Sequence, residues 1–245
     1  KFDTTPFIAI WEVTQACGLA CRHCRAEAQP LPLPGELTPS EGMDLVDQIA
    51  DLGVSVLVFT GGDPLSRRDL TDLVRHGKKR GLRVATIPAA TDRVGLADIM
   101  ALKEAGLTQL AQSIDHPDQD SHDTFRQVPG TFQKTLQILA WAREMGLPTQ
   151  VNTVFHGGNA GDFSKLAELV RSLDVVFWEI FFLVPTGRGK DIPGLTAQAV
   201  EKIFAEIYAF SKTVKFFIKV TEAPHYNRYV IERKLLEAGH DPLDI

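Results

Sequence analysis

The sequence predicts an α/β fold, a partial (βα)6-type TIM barrel with parallel strands, carrying a C-terminal strand and helix as an extension. Three observations lead there. Short apolar runs alternate along the chain with longer stretches of helical periodicity. The runs are nearly continuous in apolar residues, as parallel strands buried on both faces are. The strand–helix unit recurs at about 30 residues, the length of a right-handed βαβ crossover. The chain of 245 residues, 44% hydrophobic and 23% charged, accommodates six to seven such units, the size of one barrel. No repeat, low-complexity tract or linker divides it. Residues 1–212 are expected to form the core, and 213–245 a strand and helix leading towards an absent extension.

The first strand is expected over residues 7–13. Thr38-Pro39-Ser40-Glu41 reads as a capping box with Pro at the first helical position, opening a helix to about 52. Strand 54–59 runs into Thr60-Gly61-Gly62-Asp63-Pro64, and a helix over 68–79 stops at Gly81. Strand 83–87, helix 94–104 and strand 108–114 follow, then a polar loop, then helix 132–144. Strand 149–155, helix 163–173, strand 175–183, helix 196–210, strand 214–220 and helix 229–237 complete the series. In barrels and doubly wound sheets alike, function gathers at the C-terminal ends of the strands. The segments after the first, second, fourth and fifth strands therefore converge.

Twenty-six basic and 31 acidic residues give a net charge of −5, which argues against a nucleic-acid partner. No apolar run approaches the roughly 20 residues of a membrane span, and residues 1–6 show no signal-peptide pattern. The cysteines are odd in number and clustered, which argues against a disulfide framework and for a cytoplasmic setting.

Those cysteines are the main chemical signal. Cys17, Cys21 and Cys24 are spaced C-x3-C-x2-C just past the first strand, and the chain has no others. Three close thiolates can grip one face of a cubane iron–sulfur cluster and leave one iron without a protein ligand. An open coordination position is where a metal centre does chemistry. The alternative is a structural zinc knuckle with His23 as a fourth ligand, but the second cysteine pair usual in such sites is missing. A flavin- or phosphate-binding barrel ranks below both, because no phosphate-gripping glycine fingerprint is present.

Further candidates follow the later strands. Gly61 and Gly62 allow a backbone to approach a ligand with no Cβ in the way, or form an ordinary strand-to-helix turn. Asp115 is either a ligand or a turn cap. Asn152, in an apolar strand, needs hydrogen-bond partners, from a ligand or from the core. Arg188 is either a partner for a substrate carboxylate or a solvated loop residue. Glu12 and Gln15 flank the cysteine loop, and His225 and Tyr226 are expected to face a substrate cavity. His76 and His240 read as surface positions. Phe177, Trp178, Phe181 and Phe182 read as core.

The cysteine spacing, the preceding strand and the Gly-Gly-Asp-Pro turn together resemble the radical S-adenosylmethionine (SAM) superfamily, over the whole chain. His23 stands where the family usually has an aromatic residue, and Asp63 where it has Glu. The resemblance implies a [4Fe–4S] cluster on Cys17, Cys21 and Cys24. Its open iron chelates SAM, and an electron cleaves SAM to a 5′-deoxyadenosyl radical that abstracts a substrate hydrogen. It also implies that Gly61, Gly62, Asp63 and Pro64 bind the methionine amino group and that Ser113 and Arg126 bind its carboxylate. Asn152 would meet the ribose, Leu183 the adenine, and His23 and Asp115 would belong to the same pocket. The segments Trp11-Glu12-Val13-Thr14 and Thr221-Glu222-Ala223-Pro224-His225-Tyr226 are similar to the branch with haem-d1 synthesis enzymes and anaerobic haem-pathway decarboxylases. That points to a tetrapyrrole substrate, with a peptide substrate as the alternative, and to a reductant such as flavodoxin or ferredoxin. Members of the branch commonly carry a cysteine-rich SPASM or twitch extension. This chain has no cysteine after Cys24, so either such a tail is missing after residues 241–245, which is the favoured expectation, or this member uses one cluster.

Overall fold

In a computed structural model, residues 5–242 are described. Seven parallel strands form one sheet in simple sequential order: β1 (Ile8–Glu12), β2 (Val56–Thr60), β3 (Arg83–Thr86), β4 (Gln109–Ser113), β5 (Thr149–Phe155), β6 (Phe177–Phe182) and β7 (Phe217–Thr221). Sequential order with one hand of crossover curls a sheet towards a barrel. Here β1 and β7 are edges, so the curl stays open as a half-barrel. The seventh strand is not a separate appendage: it continues the sheet in parallel register, Glu179 beside Lys219 and Phe181 beside Thr221.

The helices α1 (Pro39–Asp51), α2 (Leu70–Lys79), α3 (Leu96–Glu104), α4 (Gln119–Arg126), α5 (Thr131–Glu144), α6 (Phe163–Ser172), α7 (Ala197–Ser211) and α8 (Tyr226–Glu237) follow the strands. The capping box at the start of α1 is present in both directions. Thr38 N donates to Glu41 Oε2 at 2.8 Å and Glu41 N to Thr38 Oγ1 at 3.3 Å. The expected polar loop before α5 contains α4 instead. Asp118 caps it by accepting from Ser121 N at 2.9 Å, and only His122 and Phe125 are buried along its eight residues. Two buried positions leave little hydrophobic periodicity to read.

Helices cover only the outer face of the sheet. One apolar cluster joins β1–β4 to α1–α3 and α5 around Leu57, Phe59 and Leu110. A second joins β5–β7 to α6–α8 around Trp178 and Phe204. The Trp178 indole N–H, fully buried, donates to Thr153 Oγ1 at 2.9 Å. Burial on both faces does not hold at the edges, where the inner face is open: Ile10 is 65% exposed and Phe217 75%. Among the described residues no helix is long and apolar enough to cross a membrane.

Candidate active site

The loop after β1 leaves and returns through a narrow neck. Cys17 N donates to Gln29 O at 2.7 Å, and Gln29 N to Gln15 O at 2.9 Å. Gln15 thus closes the loop through its backbone, its own N–H held by Glu36 Oε1 at 2.8 Å. Inside the neck the three cysteines line one cleft of about 340 Å³ at the C-terminal ends of the strands. Each sulfur receives one N–H: Leu19 N on Cys17 at 3.3 Å, Ala28 N on Cys24 at 3.4 Å, and Arg126 Nη1 on Cys21 at 3.6 Å. Donors aimed at sulfur favour thiolates, the form that binds metal. Burial first, with the neighbouring Asp63, Cys21 and Cys24, pushes the Cys17 thiol up to about 11 despite the Leu19 N–H, so metal binding there releases a proton. Among the described residues no three His, Cys, Asp or Glu side chains gather closely enough to hold a single metal ion. The tetrahedral donor set of the zinc alternative is therefore not preassembled. The donor chemistry fits a thiolate-held cluster with three protein ligands.

The Gly-Gly turn is locked against that loop. Gly62 N donates to Thr14 O and Asp63 N to Ala16 O, both at 2.7 Å. A Cβ on Gly61 would lie 2.4 Å from Thr14 O, and one on Gly62 2.4 Å from Ala16 O. The glycines line the cleft, and the cysteine loop's backbone by itself forbids a side chain at either position. Asp63 is buried and turned away from the cleft. Its Oδ1 accepts from Leu65 N and Ala89 N, each at 3.1 Å, and burial pushes its carboxyl up. Pro64 is buried at the start of a 3-10 turn, Pro64–Ser66. Neither residue lies on the cleft wall, which Gly61 and Gly62 do line.

Ser113 and Asn152 are register partners on β4 and β5, and both line the cleft. Asn152 Oδ1 accepts from Gln150 Nε2 at 2.7 Å, which leaves its amide N–H groups for a ligand. Asp115 is fully buried behind the wall. Its Oδ1 accepts from Val154 N at 3.0 Å, and its Oδ2 pairs with Arg126 Nη2. Burial opposes its charge, but the Arg126 guanidinium prevails and holds the carboxyl well below the ordinary range. Leu183 packs towards Gly189, and Phe181, two residues earlier on the inner face, lines the cleft instead. His23 lines the cleft and stacks on Phe125, ring centroids 4.6 Å apart. Burial, then Arg126, lowers its pKa to about 4.

Arg188 lines the cleft half-buried, its Nη2 without a partner. Its Nε donates to Cys21 O at 3.0 Å and Nη1 to Ala28 O at 3.1 Å, while its backbone N donates to Cys24 O at 3.1 Å. The segment after β6 thus straps the cysteine loop down. Glu12 lines the cleft and pairs with the exposed Arg25. His225 and Tyr226 are not on the wall: both pack on Phe204 of α7, centroids 4.9 and 5.1 Å away.

Sequence reasoning passed over Gln112, whose Nε2 donates to Pro88 O at 2.9 Å and ties β4 to the cleft-lining segment after β3. It also passed over His122, a buried cleft residue. A strand-end Gln and a helical His are signals, but only once α4 is recognised. His122 Nδ1 accepts from Asp115 N at 3.4 Å, and burial, then Arg126, lowers its pKa from 6.5 to about 4. The folded chain keeps this ring neutral while the unfolded chain protonates below about pH 6.5. The stability it contributes is present above that pH and is lost as pH falls towards 4. Urea unfolding of the apo-protein is expected to lose about 2 kcal/mol through this group between pH 7 and 5. In His122→Gln that part of the pH slope disappears; an unchanged slope contradicts the assignment.

The family model for the radical SAM superfamily matches residues 11–170. An AdoMet-dependent heme synthase of Oleidesulfovibrio alaskensis is 39% identical over 225 residues, 91% of this chain and 58% of the relative. A PqqA peptide cyclase of Rhizobium meliloti is 31% identical over 166 residues, 67% of this chain and 44% of the relative. The chain therefore spans less than two thirds of the length of these relatives. Among solved structures, Streptococcus suis SuiB bound to S-adenosylmethionine superposes with a TM-score of 0.75 at 12% identity, over 89% of this chain and 51% of that one. That likeness shows the same half-barrel. With the cysteine loop, the glycine turn and the strand order in agreement, the chain belongs to the radical SAM superfamily, whose members use a [4Fe–4S] cluster and SAM.

Proposed function

We propose that this chain is the cofactor-binding core of a radical SAM enzyme acting on a side chain of a haem-pathway tetrapyrrole. The observation that carries the enzymatic reading is the cleft in which three sulfurs, each with one N–H donor, face Ser113, Asn152 and the Gly61-Gly62 backbone. When bound, the cluster supplies the single electron that cleaves SAM reductively. The protein's own part is placement. Cys17, Cys21 and Cys24 hold three irons, and the strap through Arg188 fixes the loop that carries them. The glycine backbone, Ser113 and Asn152 are positioned for the polar groups of SAM, and Phe181 and Val154 for apolar surface.

The tetrapyrrole assignment rests on the heme synthase relative, which matches more of the chain at higher identity than the peptide cyclase does. A peptide side chain is the second reading, supported by that cyclase. Residues 1–212 together with β7, which continues their sheet, are proposed as the core, and the residues after it as the lead into a further segment. The relatives' greater length supports this. A flavodoxin or ferredoxin is the proposed electron donor, and the cytoplasm the proposed setting.

Anaerobic reconstitution tests the reading. The expected product is a brown protein with about four irons and four sulfides per chain. With dithionite and SAM it releases 5′-deoxyadenosine and methionine. Addition of an iron porphyrin carrying propionate side chains is expected to accelerate release; acceleration only by a peptide would transfer the proposal to the second reading. Zinc without labile sulfide, or no 5′-deoxyadenosine, would refute the enzymatic reading itself.

A further inference from the structure

Of the three donors on the cysteine sulfurs, two are backbone N–H groups within the loop itself, Leu19 and Ala28. The third is a full positive charge from a distant element, Arg126 at the end of α4, on Cys21 Sγ. The guanidinium is fixed from behind. Its Nη2 pairs with Asp115 Oδ2, with 11% of the Arg126 side chain and 1% of the Asp115 side chain exposed. Asp115 cannot swing with it, because Oδ1 is held by Val154 N and the backbone carbonyl accepts from Asn159 Nδ2 at 2.8 Å. The loop and α4 are tied together as well, since Arg22 N donates to Phe125 O at 3.0 Å. The result is a rigid buried dipole of side chains, its positive end on a ligand sulfur and its negative end facing away. Of the guanidinium nitrogens, Nε is buried without a partner, so a donor remains for a further acceptor, and the charge on the sulfur has to be tested apart from any such contact.

We infer that Arg126 is a positioning and charge-tuning residue for the cluster on Cys17, Cys21 and Cys24, raising its reduction potential, with Asp115 offsetting part of that effect. The inference rests on the iron–sulfur reading proposed above. One-electron reduction adds one negative charge to the cluster. A cation at the sulfur stabilises the reduced form more than the oxidised form, and a carboxylate beyond it does the reverse. Low exposure keeps both effects from being screened. Outer partners of metal ligands act in this way generally, by orienting the ligand and tuning the metal.

The test is a redox titration of the reconstituted chain in the absence of SAM, with dithionite as the electron source and the reduced cluster followed by electron paramagnetic resonance. Iron and sulfide content and circular dichroism are measured on each protein. Arg126→Gln is expected to disfavour reduction at least tenfold, a shift of about 59 mV to more negative potential for one electron. Asp115→Asn is expected to shift the potential the other way, and Arg126→Lys, which keeps the charge, to lie between wild type and Arg126→Gln. Omitting SAM separates this role from carboxylate binding. An unchanged SAM-free potential in Arg126→Gln with weakened SAM binding overturns the inference and makes Arg126 a cofactor ligand. Shifts of the same sign in Arg126→Gln and Asp115→Asn overturn it too. So does loss of the cluster from all three variants while they fold as the wild type does, because tuning alone leaves the thiolates able to hold iron. Wild-type protein that binds no iron would instead remove the iron–sulfur reading.

Discussion

Replacing Cys21 by Ala is expected to abolish cluster binding and bring SAM cleavage to background, while the apo-protein stays folded. The two halves of that expectation have different causes. The chain has no fourth cysteine to substitute for a lost ligand, and two thiolates leave two irons of a cubane without protein ligands. Folding, in contrast, depends on the apolar clusters outside the sheet, around Leu57 and Phe59 on one side and Trp178 on the other. Cys21 belongs to neither cluster. It is 8% exposed, so its truncation costs about 1 kcal/mol and lowers the melting temperature by roughly 2–4 °C. Cys17→Ala and Cys24→Ala cost less, since both residues are only partly buried. Iron and sulfide assays, 5′-deoxyadenosine by chromatography and thermal melts of the apo-proteins check all three. A variant that keeps full iron content and cleavage would show that the vacancy-bearing site lies elsewhere.

That contrast also explains what the sequence makes legible. The strands announce themselves because their outer faces are apolar and their spacing is regular, and the capping box of α1 is readable because it depends on four consecutive residues. The cysteines are legible for the same reason: a loop places its own ligands at short spacing. Contacts between distant segments are not written in any local pattern. Arg188 reaches the carbonyls of Cys21 and Ala28 from 167 and 160 residues away, and as a letter in a polar loop it is indistinguishable from a solvated arginine. Arg126, brought to the site by resemblance, lines the cleft, and nothing in the local sequence shows that it reaches Asp115 and the Cys21 sulfur. Leu183 has the strand parity of Phe181 but lies past the last paired residue of β6, where the chain turns back towards the cysteine loop. The open inner face of the half-barrel was hidden for a related reason. An apolar run says that a strand can be buried on both faces, not that a second layer covers both.

Gly62→Ala is expected to produce a large defect for a single added carbon atom. Its Cβ would sit 2.4 Å from Ala16 O and 2.7 Å from Gln15 O. Both are backbone atoms, which cannot step aside as a flexible side chain does. The same peptide units form the neck of the cysteine loop, where Gln15 O accepts from Gln29 N and Ala16 O accepts from Asp63 N. Relief of the clash must therefore move the loop away from the turn and displace the base of the cysteine triad. Overpacking of this kind costs about 1–3 kcal/mol. That corresponds to a fall of about 2–12 °C in the melting temperature of the apo-protein. The functional loss exceeds the stability loss, because iron binding requires all three sulfurs at once. Gly61→Ala combines a clash of its own, 2.4 Å from Thr14 O, with backbone strain, since Gly61 has φ +129°, a conformation that costs an L-residue about 1–3 kcal/mol. Gly161→Ala is the control: a Cβ there meets nothing within 4 Å, and its effect should stay within about 0.5 kcal/mol. Melting curves and reconstituted iron content decide the matter. If Gly62→Ala binds iron and melts as Gly161→Ala does, the glycine turn does not hold the loop, and its glycines serve only the approach of a ligand.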